Sequence, residues 1–449
     1  MRDHRIVLCL AAAFAIGAAQ APATAADKPA SKPAAKAKPA PAKPAAKAAK
    51  PAAAPAAAPA AEIELVHALG PEGEAQLNRL VERFNQGTEG RIVLAKREWD
   101  AGAMPAMMIL DEAGEERLLE GKPRYRALHE VMSEVGVRLE ASKPPPVMNP
   151  APLNPAGKLL ALPVALSTPV MFYNREAFKK VGLDAANPPK TWFELQEALG
   201  KLVDAGVTCP YTSSYPAWIH VENISAWHNV PVAGGTPKKE GPLAINGMVQ
   251  VKHLAMMSSW YKSRYLHIFG QGREADARFA SGECAVLTSA SGSYPALARD
   301  AKFEVGVAPL PYHDDIPGAP QNTLADGPSL WVAAGRTHAE YKTIARFVSF
   351  LLTPESQVEL QRHAGSLPLN RSGSLASSSD LLKSEMAHIR VALSTLANKP
   401  ATPASSASRY AHRADVRAIV GEELDALWGN RKPAKQVLDD AVARSRTLK

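Results

Sequence analysis

The chain has 449 residues, a formal net charge of +8 and three cysteines. Residues 1–61 hold nine Lys or Arg against two Asp, a net of +7, which leaves only +1 for residues 62–449. The folded part is therefore near neutral, and a nucleic-acid-binding role, which calls for a basic face, has no support.

The N-terminus reads as an export signal. A short basic start, MRDHR, precedes an apolar run from Ile6 to Ala19, and Ala23-Thr24-Ala25 fits a signal peptidase site. The run is shorter than the about 20 residues that span a bilayer. A signal peptide is expected over 1–25, taking Cys9 with it, and the mature chain is expected to be exported and soluble. An Ala/Pro/Lys-rich disordered tether follows over 26–61. Its residues 28–61 contain seven lysines, eight prolines, no acid and no aromatic residue. Such a stretch has nothing to bury and favours extended polyproline II backbone. A plain spacer and a cationic contact with lipid or cell wall both fit it.

Residues 62–449 exceed the usual size of one domain, so two lobes are expected. EIELVHAL reads as a strand and PEGEAQLNRLVERFNQG as an amphipathic helix. RIVLAK, AMMILDE, GKLLALPVA and TPVMFYN read as further strands, the last running into REAFKKVGL. In PPKTWFELQEALGKLVDAG, Thr191 is placed as an N-cap with Glu194 closing a capping box. VKHLAMMSSWYKSRYL, EYKTIARFVSFLLTPESQVELQRH, DVRAIVGEELDALWG and PAKQVLDDAVARSRTL read as helical. Strands alternating with helices indicate an α/β protein with largely parallel sheets. Cys209 and Cys284 fit either a disulfide or two small buried residues.

No enzyme motif is present: there is no HExxH, CxxC, GxSxG or glycine-rich phosphate loop. No catalytic residue, metal site or cofactor is expected. His313-Asp314-Asp315 reads as solvated loop charge, and His129, His253 and His267 as scattered histidines without partners. In FASGECAVLTSASGS, residues 279–293, Cys284 reads as an inert strand residue. Gly282 makes the turn before it, and Ser291 or Ser293 is placed to cap the next helix.

The motifs STPVMFYNREAFKKVGLDAANPPKTWFEL, WIHVENISAWHN, VKHLAM, GECAV, GAPQN, SLWV and VRAIVGEELDALW occur in an order that resembles the extracellular solute-binding proteins of ABC importers, family 1. The likeness runs from about residue 62 to the C-terminus. It implies a type II, maltose-binding-like periplasmic binding protein fold, with two lobes, each a mostly parallel sheet flanked by helices. The lobes would be 62–170 with 320–370 and 171–319 with 371–449. A small polar solute (glycerol 3-phosphate, a glycerophosphodiester or a related polyol or sugar) would be held between them. It would be delivered by a periplasmic monomer to the permease subunits of the inner membrane.

Carried over by residue, the resemblance implies ligand contacts at Glu112, Ser167, Gly327 through its amide, and Arg417. The forked guanidinium of Arg417 suits phosphate oxygens. Tyr215 and Trp218 would form an apolar wall. Ser291 flanks Ala290, where the family has a ligand serine, and Ser366 stands where it has a tyrosine. Another departure is REWDAGAMP, too short to hold the helix that in relatives separates the second and third strands. These departures leave two other readings open. One is a degenerate relative serving as a periplasmic partner or sensor subunit. The other is a secreted serine hydrolase, although no base is placed beside a serine.

Overall fold

The structure is a computed structural model and describes residues 61–87, 90–100, 102–137, 152–154, 156–235, 240–369, 386–405 and 410–448. The expected signal peptide and tether lie outside the described residues, except Ala61, which opens the first strand. Among the described residues no helix is long and apolar enough to cross a membrane.

The chain builds one sheet from β1 (Ala61–His67), β2 (Gly90–Lys96), β3 (Met107–Leu110) and β4 (Leu162–Pro163). It then crosses to a second sheet of β5 (Pro169–Asn174), β6 (Cys209–Ser213), β7 (Leu266–His267), β8 (Cys284–Ala290) and β9 (Val305–Ala308), and returns with β10 (Ser329–Val332). The orders are β2-β1-β3-β10-β4 and β7-β6-β8-β5-β9. Both sheets are mixed rather than mostly parallel: each has two parallel and two antiparallel neighbour pairs. The reason is topological. Strands joined within a lobe by helical crossovers come out parallel, whereas β5 and β10 arrive from the other sheet and insert antiparallel.

Local sequence explains the helices. Pro71–Asn85 starts on a proline and buries Leu77, Leu80, Val81 and Phe84. The Thr191–Glu194 capping box is made in full, and Thr337 with Glu340 forms a second one ahead of His338–Leu351. The long segment 340–363 is interrupted at Pro354, where Thr353 caps a new helix, Pro354–Ala364. A proline has no amide hydrogen and cannot continue a helix through its own position.

No helix occupies the described residues between β2 and β3. Trp99 fills the place instead. It packs with Val66, Met108, Leu118 and Trp331, donates its indole N–H to the Ala103 carbonyl at 3.0 Å, and lies under the Arg124 guanidinium. One large ring supplies apolar cover that a short connection could not provide as a helix.

The segments that cross between sheets are tied to one another. Ser167 and Asp326 exchange both backbone hydrogen bonds at 2.9 Å, and the Leu367 amide donates to the Leu166 carbonyl. Gly292 sits against this ribbon, and a Cβ there would come within 2.5 Å of the Ser167 hydroxyl oxygen. A Cβ on Gly365, at φ +61°, would come within 2.7 Å of the Gly292 Cα. The serine-rich stretch is thus built for close approach. Ser293 donates to Asp276 and Ser291 accepts from the Thr168 amide, so neither caps the following helix.

In the second lobe, Cys209 and Cys284 lie opposite each other on β6 and β8 and form a disulfide. Behind them lies a histidine chain that the sequence reading had treated as separate residues. His220 bonds His253 (2.9 Å), and His253 bonds His313 (3.2 Å), so His313 is buried while Asp314 and Asp315 stay exposed. The direction of every proton follows from one end. Ser213 donates to the Ser214 carbonyl, Thr288 donates to Ser213, and Tyr211 must therefore donate to Thr288. The Tyr211 oxygen then accepts from His220 Nε2, which assigns Nε2–H to His220, His253 and His313 in turn. His228 takes the other tautomer, because its Nδ1 faces the Ile224 carbonyl and its Nε2 accepts from the His313 amide.

Burial holds His220 and His313 down at about 3 and His228 at about 4, and pushes His253 well below its ordinary value. An unfolded histidine titrates near about 6.5. Below that pH the unfolded chain takes up protons that the folded chain refuses. The stability contributed by these rings is therefore whole above about pH 6.5 and is lost as pH falls toward 3–4, at about 2 kcal/mol per ring between pH 7 and 5. We expect the Cε1 resonances of these four histidines to stay in their neutral positions from pH 8 to pH 5 in NMR spectra; titration in that range would show that the chain is open to solvent.

Candidate functional site

A cavity of about 700 Å³ is lined by residues that follow β3, the crossing segments, the turn after β6, and helix Arg413–Trp428. Its polar side is an ion cluster. Asp111 caps helix Glu112–Leu119 by accepting from the Gly114 amide, which makes Glu112 the first helical residue rather than a strand-end acid. Glu115 lies one turn on. From the facing helix come Arg413 and Arg417, four residues apart and hence on one face. Trp218–Asn223 winds as a π-helix, a form common at functional sites, and delivers Glu222 from behind. Asp326 belongs to the crossing ribbon.

Arg417 is bidentate to Glu222 (2.6 and 2.9 Å), reaches Glu112 at 2.9 Å and meets Asp326 at 2.6 Å. Arg413 contacts Glu112 at 2.5 Å and Asp326 at 3.3 Å. The Arg413 Nε–Glu112 Oε1 contact is a pairing of charge only, since neither atom has hydrogen-bond geometry to a partner. The cluster thus sets three carboxylates against two guanidiniums.

Burial would raise Asp326, but Arg417 and Arg413 together hold it below the usual carboxylate range. At Glu112 burial wins over the two arginines, and the nearby Asp326 and Glu222 add repulsion, so its carboxyl rises to about 7. Burial also lifts Glu115 to about 7, although Trp331 donates to it. Raised carboxyls act on stability with the opposite sign to the buried histidines: their contribution is whole below about pH 4.3 and is lost as pH rises through 7.

The lining also includes aromatic residues. Tyr215 and Trp218 meet edge to face at 6.3 Å. The buried Trp218 indole N–H has no acceptor among the described residues. Three non-glycine residues with positive φ, Ala165, Tyr215 and His412, line this cavity or directly precede Arg413. Backbone held in this costly region gathers at binding sites because the surrounding contacts impose it.

Six of the eight candidate residues line the cavity: Glu112, Ser167, Tyr215, Trp218, Gly327 and Arg417. The Gly327 amide is already engaged by the Asp326 carboxylate at 2.8 Å. Ser291 and Ser366 do not line it. Both are buried, Ser291 beneath Thr168 and Ser366 against the Leu367 carbonyl. Ala290 takes the lining position instead. Sequence reasoning missed Arg413, Glu222, Asp326 and Glu115. The helical spacing of Arg413 from Arg417 and of Glu115 from Glu112 was a usable signal, as was a carboxylate inside the apolar run WIHVENI. Among the described residues no group of three or more His, Cys, Asp or Glu is placed to hold a metal ion.

Removing one partner from such a buried cluster leaves charges unpaired, at a cost of about 3–5 kcal/mol. Arg417→Ala should lose that much in urea denaturation at pH 7.5, since it takes the bidentate guanidinium from Glu222 and leaves Glu112 crowded by Asp326. A loss below about 1 kcal/mol, the level of an exposed pair, would show the cluster to be solvent-relaxed.

The family pattern of the bacterial extracellular solute-binding proteins matches residues 127–385. The chain is 33% identical over 404 residues to the sn-glycerol-3-phosphate-binding periplasmic protein UgpB of Pectobacterium atrosepticum, covering 86% of this chain and 91% of that one. It is 33% identical over 399 residues to UgpB of Salmonella typhimurium, with 85% and 91% covered. Among solved structures, UgpB from Mycobacterium tuberculosis in complex with glycerophosphocholine superposes with a TM-score of 0.70 at 19% identity, covering 86% of this chain and 98% of that one. Maltose-bound MalE3 of T. maritima superposes with a TM-score of 0.64 at 18% identity, covering 87% and 100%. With two α/β lobes joined by crossing segments around a lined cleft, the chain belongs to the bacterial extracellular solute-binding proteins and is a periplasmic member of them.

Proposed function

We propose that this chain captures a glycerophosphodiester such as glycerophosphocholine, with sn-glycerol 3-phosphate as a weaker ligand, and presents it as a monomer to the permease of an ABC importer. Residues 62–170 with 320–370 and 171–319 with 371–449 would be the lobes that close on it. The single observation that carries this reading is the paired guanidiniums of Arg413 and Arg417 in the wall of a cavity that the Tyr215–Trp218 corner also lines. Forked donors fit phosphate oxygens, and aromatic faces suit carbon or a cationic head group.

Two features favour the diester over the monoester. The cavity, about 700 Å³, exceeds what glycerol phosphate alone would fill. A monoester also carries about −1.5 to −2 at pH 7, a poor match for a cluster already richer in carboxylate than in guanidinium. Glu112 and Ser167 would accept from and donate to hydroxyls. The unpartnered Trp218 N–H is a further donor on the wall.

A sugar is the second reading, favoured by the fact that both guanidiniums already hold carboxylates. Calorimetry and thermal shift with glycerophosphocholine, sn-glycerol 3-phosphate and maltotriose separate the two. We expect stabilisation by about 2.7 kcal/mol at a hundredfold excess over Kd for glycerophosphocholine, weaker binding of the monoester, and none of the trisaccharide. Trp218→Ala should weaken binding at least about tenfold, in line with loss of a buried aromatic anchor. Binding of maltotriose alone would establish the sugar reading. A silent panel would favour a periplasmic partner that captures no solute.

A further inference from the structure

A contact apart from the arginine cluster also joins the two lobes. Helix Pro71–Asn85 packs on the first sheet through Leu77, Leu80, Val81 and Phe84. Helices Glu274–Ala280 and Tyr294–Asp300 pack on the second through Phe279 and Leu297. Glu72, in the first turn of helix Pro71–Asn85, meets an arginine from each of the other two segments. Arg299 Nη2 donates to Glu72 Oε1 at 3.1 Å, and Arg273 Nη1 stands 3.9 Å from Glu72 Oε2. The second distance is too long for a hydrogen bond and is a pairing of charge.

Both arginines have a carboxylate of their own lobe beside them. Asp300 accepts from Arg299 Nε and Nη2 at 2.8 and 2.9 Å. Arg273 Nε lies 3.8 Å from Asp276, whose buried carboxylate accepts from the hydroxyls of Ser214, Ser289 and Ser293, each at 2.7 Å. Arg273 also belongs to a loop that shapes the cavity. Gln271 lines the cavity, and the Gly272 carbonyl accepts at 2.7 Å from the amide of Tyr215, another lining residue.

We propose that Glu72 is a positioning residue for solute binding. Acting as an interlobe latch through Arg273 and Arg299, it holds the second lobe, and with it Gln271 and Tyr215, against the first while a solute fills the cavity. Glu72 is not among the residues that line the cavity, so it acts without touching the solute. The proposal rests on the reading that the two lobes close on a solute, whichever solute that is. Exposure decides where the effect falls. The Arg273 and Arg299 side chains are 48% and 58% exposed and that of Glu72 24%, a setting in which an ion pair adds little to folding. When the lobes part, all three groups return to water, so the pairs stabilise the closed form alone and slow release of the solute.

The probe is whichever of glycerophosphocholine, sn-glycerol 3-phosphate and maltotriose binds tightest, followed by stopped-flow kinetics. Glu72→Gln should raise koff about twofold to fivefold, the worth of exposed pairs, while kon and the urea midpoint of the free protein keep their wild-type values. Arg299→Gln should raise koff in the wild type, but by less than about 1.5-fold when added to Glu72→Gln, since the two share one contact. Salt at about 0.5 M should narrow the gap between wild type and Glu72→Gln. A koff within about 1.5-fold of wild type in Glu72→Gln, or a urea midpoint that falls with it, overturns the positioning role and leaves the functional reading standing. If none of the three solutes binds, the functional reading falls, and the latch is judged by the distance between spin labels on Glu82→Cys and Lys302→Cys, exposed sites on the two lobes. Glu72→Lys should lengthen that distance; an unchanged distance overturns the latch as well.

Discussion

The contact of Arg417 with three carboxylates is the interaction on which this molecule turns. Glu112 follows a strand of the first sheet, Asp326 lies in the crossing ribbon, and Glu222 comes from the π-helix after β6. One side chain therefore joins the first lobe, the hinge and the second lobe at a single point. A guanidinium can do this because its five donors lie in a plane and never lose their charge. The cost of burying it is offset by the three carboxylates it meets.

The hinge has a complementary design. Ser167 and Asp326 pair their backbones, and the approach of Gly292 and Gly365 leaves no room for a side chain beside them. Leu166, Ala325 and Leu367 of the crossing segments are themselves buried, in a third core with Val170, Phe172 and Phe279. The two main cores lie away from it, one under β1, β3 and β10 and the other around Trp192, Tyr211 and Trp260. The disulfide and the neutral histidine chain both belong to the second lobe and reinforce it independently of the cleft.

The cavity differs from a simple anion site. Its arginines are answered by carboxylates, its aromatic corner keeps a donor without an acceptor among the described residues, and Ala290 lines it in place of a serine.

Much of the architecture was legible in the chain itself. The capping box at Thr191 and Glu194, the proline-led helix at Pro71 and the missing helix between β2 and β3 depend on residues close in sequence, whose energetics are local. Six cavity positions could also be named, because the resemblance to the solute-binding family carried them over residue by residue. Other features required contacts between distant segments. The mixed sheets arise from where crossing strands insert, and the Cys209–Cys284 bridge from the register of β6 against β8. The burial of His313 depends on helix Met248–Lys262 bringing His253 to meet it. Whether Arg417 faces a ligand freely or is held by Glu112, Glu222 and Asp326 could be decided only by the fold. Charge–charge energy depends on distance and burial, and positions 112, 222, 326 and 417 share neither until the chain has closed upon itself.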